Sequence, residues 1–114
     1  MTMDGQILGT PAYSAPEAIG DGRFSAQSDQ FSLAATLYEA LSGRRAFPGD
    51  DSVSVATLIA TKTPAPIATV CGVAPSVDLV LMQAMAKKPD ARFANCAQFG
   101  EALSSALGST VRSQ

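Results

Sequence analysis

Histidine and tryptophan are absent from the 114-residue sequence, and cysteine occurs only twice. Without histidine the chain lacks both the usual general base near neutral pH and the commonest metal ligand, which excludes Ser-His-Asp hydrolases and His-ligated zinc enzymes. Cys71 and Cys96 stand far apart with no other thiol near either. That spacing offers neither a CxxC redox pair nor a zinc cluster and predicts two buried, reduced thiols. Charge is also scarce, at 16% of residues, with a net charge of -2. The basic residues are scattered apart from the pairs Arg44-Arg45 and Lys87-Lys88, so there is no cationic face for a phosphate backbone, and nucleic acid is not an expected partner. No apolar run approaches the roughly 20 residues that span a bilayer, and the amino terminus has no basic-then-apolar signal pattern, so this piece is expected to be cytoplasmic.

Apolar residues, in contrast, make up 46% of the chain. One small core is affordable at this length, and apolar surface should be left over for a partner. Gly5, Gly9, Pro11, Pro16, Gly20 and Gly22 punctuate residues 1–25 so closely that an irregular loop is expected there. Ser28 and Asp29 form a capping pair ahead of a helix over 30–42 with two apolar faces, one of Phe31, Ala34, Ala35 and Tyr38, the other of Leu33, Leu37, Ala40 and Leu41. A helix apolar on most of its circumference belongs in the centre of a core, and Gly43 with Arg44 and Arg45 ends it.

Residues 53–61 fit a strand and a helix equally well, since Val53, Val55, Thr57, Ile59 and Thr61 alternate while Val53, Ala56 and Ala60 share a helical face. Pro75 suits the first turn of a helix carrying Val77, Val80, Leu81, Ala84 and Met85, with Lys87 and Lys88 complementing its carboxy-terminal dipole before Pro89. The last helix opens on Asn95 and Gln98 in capping-box spacing, buries Phe99, Ala102, Leu103, Ala106 and Leu107, and is expected to end at Gly108. The expected organisation is a front loop over 1–27, a helical core over 28–108 and a frayed tail over 109–114.

Four blocks, in order, carry a family resemblance. Gly9-Thr10-Pro11-Ala12-Tyr13-Ser14-Ala15-Pro16-Glu17 resembles the end of the activation segment of eukaryotic-like protein kinases, where Ala-Pro-Glu is a signature. Ser28-Asp29-Gln30-Phe31-Ser32-Leu33, running on to Leu37-Tyr38-Glu39-Ala40-Leu41-Ser42-Gly43, resembles the central helix of the kinase lower lobe. Phe47-Pro48-Gly49 follows, and Ala86-Lys87-Lys88-Pro89-Asp90-Ala91-Arg92-Phe93 resembles the Lys-Asp-Pro-x-x-Arg-Phe stretch before the last helix. Together they span nearly all of 9–107, and the chain is similar to the lower C-lobe of a Hanks-type bacterial Ser/Thr kinase. The resemblance implies a mainly α fold built around a central buried helix, and it makes 53–61 helical.

The resemblance also assigns roles. Glu17 would pair with Arg92, pinning the substrate-binding loop to the far end of the lobe. Asp29 would anchor the catalytic loop, although a plain helix cap explains it equally well. Thr10 would position the substrate hydroxyl and favour Ser or Thr over Tyr as acceptor, while Pro11, Ala12 and Tyr13 would form the shelf for the next substrate residue. Thr2 would be a phosphorylation site. Ser14, Ala34 and Ala46 depart from the family's usual bulky apolar residue, glycine and proline.

A kinase also needs a glycine-rich loop, a strand lysine, a catalytic-loop Asp with its Asn, and a metal-binding Asp-Phe-Gly, and none of these lies in the chain. Gly20-Asp21-Gly22-Arg23-Phe24-Ser25 and Ile59-Ala60-Thr61-Lys62 mimic the first two but stand in the wrong order. ATP and Mg are therefore implied for a parent kinase acting on protein Ser/Thr acceptors, and the piece alone is expected to be inactive. The alternatives are a non-catalytic binding module, or a homodimer formed through the surface that the catalytic loop would cover.

Overall fold

The computed structural model describes residues 11–112. Among the described residues six α-helices follow one another, α1 Pro16–Asp21, α2 Ala26–Ser42, α3 Ser52–Thr61, α4 Ala68–Cys71, α5 Pro75–Ala84 and α6 Cys96–Arg112, with a 3-10 turn at Pro89–Ala91 before α6. No strand occurs among the described residues. Helices α2, α5 and α6 pack on one another to form the body, α4 wedges between α2 and α5, and α1 lies beside α3.

Part of the front is helical where an irregular loop was expected. Pro16 at the first position needs no N–H partner, and Gly22 closes α1 in the left-handed region at φ 66°. There its N–H reaches Ala18 O at 3.1 Å while the Arg23 N–H reaches Glu17 O at 3.1 Å. The same residues that forbid a long helix thus frame a short one.

Helix α2 starts earlier than Ser28. Ser25 is its cap, accepting from the Gln27 and Ser28 N–H groups, and the Ser28 hydroxyl accepts from Ser25 N–H at 2.7 Å to complete a capping box. Asp29 therefore sits inside the first turn with its side chain in water, and the cap reading of this residue is corrected. Phe31, Ala34, Ala35 and Tyr38 are buried on the inner face. The second apolar face is not enclosed: Leu33 is 42% exposed, Ala40 is exposed, and Leu37 and Leu41 are only partly covered. Within this chain α2 is therefore a hub on one side only.

Residues 53–61 are helical, as the resemblance implies. Asp51 caps α3 by accepting from Ser54 N–H at 2.8 Å, and Val55 and Ile59 point inward. Gly49 makes this approach feasible, because a Cβ there would sit 2.8 Å from Val55 N and 2.9 Å from Val55 Cγ2. Ile67, Val77, Leu81, Ala84, Met85, Phe99, Leu103 and Ala106 fill the remaining core.

Three further expectations need correction. Helix α6 runs through Gly108 to Arg112, since glycine stops a helix only where its φ turns positive, as at Gly22, Gly43 and Gly72. Cys71 and Cys96 are free but half-buried, lying at the edge of the core instead of inside it. Lys87 does not cap α5, whose last turn holds no basic residue. Its Nζ crosses to Ile59 O at 2.6 Å, in the last turn of α3, and so complements that helix's dipole.

Candidate functional site

The described part of the front loop is a tight turn on the body. Ser14 N–H donates to Pro11 O at 2.9 Å, while Pro11, Ala12 and Ala15 are buried and Tyr13 is half-buried. The Tyr13 hydroxyl donates to the Glu39 carboxylate on α2, tying the turn to the central helix. Glu39 raises the phenol's pKa, as does the little desolvation it feels, while Arg45 pulls it down. Thr10 and Thr2 lie outside the described residues.

Two residues further on, α1 presents Glu17 to Arg92. The two groups bond bidentately, Nη1 to Oε2 at 2.8 Å and Nη2 to Oε1 at 2.9 Å. Arg92's side chain is fully buried and that of Glu17 is 10% exposed. Arg92 spends its other three N–H groups on backbone: Nε on Ala86 O at 2.8 Å, Nη1 on Gln27 O at 3.0 Å and Nη2 on Lys87 O at 3.4 Å. All five donors of the guanidinium are thus used, which a buried cation requires. Burial opposes ionisation of Glu17, but the hydrogen bonds and charge of Arg92, helped by backbone and by Arg23, outweigh it and hold the carboxyl below its ordinary range.

A column of charge and aromatic rings backs this clasp. Arg92 lies 5.0 Å from the Phe31 ring centroid, Phe31 stacks on Phe47 at 5.8 Å, and Lys87 Nζ lies 4.7 Å from the Phe47 centroid. Burial, together with the positive charge of Arg92, pulls the Lys87 pKa down from 10.5 to about 8. The folded protein therefore gives up this proton before the unfolded chain does. The Lys87 contribution makes the fold more stable as pH rises from about 8 to 10.5, and is level outside that window. An NMR titration of the Lys87 Cε resonance should show a midpoint near 8; a midpoint at 10 or above would contradict this environment.

Gln30, fully buried on α2, was not singled out from the sequence. It pairs with the Phe93 backbone in both directions, Nε2 to Phe93 O at 3.0 Å and Phe93 N–H to Oε1 at 3.0 Å, locking the residue after Arg92 to the hub. Asp78, also buried, accepts from Ile67 N–H at 2.7 Å and Ala68 N–H at 3.0 Å and so fixes the start of α4. An amide or carboxylate standing among apolar helix positions was the available signal for both. Asp29 has no catalytic loop to meet among the described residues, and no three ligating side chains converge there as a metal site would need. Among the described residues no set of acidic ligands is therefore fitted to hold Mg. No described helix is long and apolar enough to cross a membrane.

A turn that runs into Ala-Pro-Glu and is held by its carboxylate to an arginine ahead of the last helix, on a helical body, defines the lower C-lobe of a protein kinase. The family profile described as protein tyrosine and serine/threonine kinase matches residues 2–99. Serine/threonine-protein kinase PknL of Mycobacterium tuberculosis is 36% identical over 101 residues, covering 88% of this chain and 25% of that protein. Serine/threonine-protein kinase PknB of Mycolicibacterium smegmatis is 35% identical over 99 residues, covering 86% of this chain and 16% of that protein. The chain belongs to the protein kinase family, on its bacterial Ser/Thr side, and spans a quarter or less of the length of these relatives.

Proposed function

We propose that this chain supplies the protein-substrate platform and lower-lobe scaffold of a kinase that transfers a phosphoryl group from ATP to protein Ser or Thr. The observation that carries this reading is the buried, bidentate pair of Glu17 and Arg92, which fixes the loop that precedes it against the lobe. On this reading Pro11, Ala12 and Tyr13 are the shelf beneath the substrate residue next to the acceptor. Thr10 positions the acceptor hydroxyl, and Asp29, exposed in the first turn of α2, receives the backbone of the catalytic loop. Thr2 would accept a phosphate from another kinase molecule, and the site of action is cytoplasmic.

Phosphoryl transfer depends almost wholly on positioning and on charge neutralisation by lysine and metal. The purified 114-residue chain should therefore show no transfer from ATP and Mg to any peptide, and measurable transfer would refute its assignment as a scaffold. The platform role is tested by replacing the matching segment of the PknL relative with residues 9–108. The chimera should phosphorylate Ser/Thr substrates and lose that activity with Asp29→Ala. A chimera that folds by circular dichroism yet transfers nothing would overturn the reading.

A further inference from the structure

Arg44 and Arg45 take no part in the Glu17 clasp or in the core. Gly43, in the left-handed region at φ 76°, ends α2, and Ser42 Oγ then accepts from Arg44 N–H at 3.1 Å, so the backbone that presents both arginines is fixed. Both side chains are exposed, and they line a cleft of about 460 Å³ with Tyr38, Ala46, Pro48 and Ala65. The Tyr38 hydroxyl is already spent on Ala65 O at 2.6 Å, so apart from the guanidiniums the walls are largely apolar. The ion pairs among the described residues are Glu17 with Arg92 and Asp21 with Arg23, leaving both arginines of the cleft without a carboxylate.

Two adjacent guanidiniums repel one another, and a carboxylate between them relieves the repulsion while accepting charge-assisted hydrogen bonds. Arg45, which lines the cleft, is also near enough to Tyr13 of the front loop to act on its phenol. Glu39, an acid at this corner, is engaged by the Tyr13 hydroxyl and forms no ion pair with either arginine.

We propose that Arg44 and Arg45 form a specificity site for acidic substrates, gripping a glutamate or aspartate side chain of the peptide a few residues from its Ser or Thr acceptor. This rests on Pro11, Ala12 and Tyr13 being the substrate shelf. Two peptides differing only in Glu or Gln residues flanking a central Thr are titrated into the isotopically labelled chain and followed by NMR. The Glu peptide should bind about two- to fivefold tighter, as exposed charge contacts allow. That preference should vanish in the double variant Arg44→Gln and Arg45→Gln and shrink as salt rises from about 0.05 to 0.5 M.

Equal binding of the two peptides, or a preference that survives in the double variant, would overturn the proposal. The two readings fail separately. A Gln peptide that shifts the Ala12 and Tyr13 amides with no preference for Glu sinks the acidic site alone. An acidic peptide held at Arg44 and Arg45 that leaves the shelf unshifted sinks the shelf reading and, with it, the link to substrate choice. No binding by either peptide removes both.

Discussion

Arg92→Ala should destabilise the fold by about 3–5 kcal/mol, the range for breaking a buried ion pair from one side, and lower Tm by more than about 10 °C. The loss has three physical parts. The Glu17 carboxylate stays in a nearly closed site without its cation, the carbonyls of Gln27, Ala86 and Lys87 lose their donor, and Phe31 loses the guanidinium over its ring. Glu17→Ala combined with Arg92→Ala should cost less than the sum of the single changes, because the second removes a charge the first has already stranded. The sign with pH follows from the depressed Glu17 pKa. The pair's contribution is full above the unfolded carboxyl value and is lost as pH falls through the lower folded one, so wild type and Arg92→Ala should converge in acid. Urea unfolding at neutral and acidic pH measures both effects, and a loss below about 1 kcal/mol at neutral pH would mean the clasp is not structural.

Phe31→Ala should cost a similar amount, about 3–5 kcal/mol, as expected for deleting a buried ring. Phe31 is fully buried at the middle of the column, so its removal leaves Phe47 without a stacked neighbour as well as opening a cavity. Phe31→Leu, which refills much of the volume, should recover a large part of the loss. Denaturant midpoints of the two variants provide the check, and equal midpoints would show that the site collapses around whatever occupies it.

Much of the scaffold was legible because it depends on local rules. Pro75 opening α5, Asn95 accepting from Gln98 N–H at 2.8 Å, and the inward rows of α5 and α6 all follow from periodicity and capping. The meeting of Glu17 and Arg92, 75 residues apart, was not legible from periodicity or spacing; it came from family resemblance alone. The errors share a physical origin. Ser25 caps α2 without the usual sequence signature, because its capping-box partner is Ser28 and not Glu or Gln. Lys87 follows α5 in sequence, whereas its long side chain reaches a carbonyl of α3. Tertiary partners of flexible side chains leave no periodic trace.

The open side of α2 has a thermodynamic corollary. Leu33, Leu37 and Leu41 form a row only while that helix is wound, so any segment seated on them binds the folded chain and not the unfolded one. By mass action such a segment must raise the melting temperature of the whole piece in proportion to the logarithm of its own concentration. A thermal scan against added polypeptide would thus report, through stability alone, what belongs on that side of the lobe.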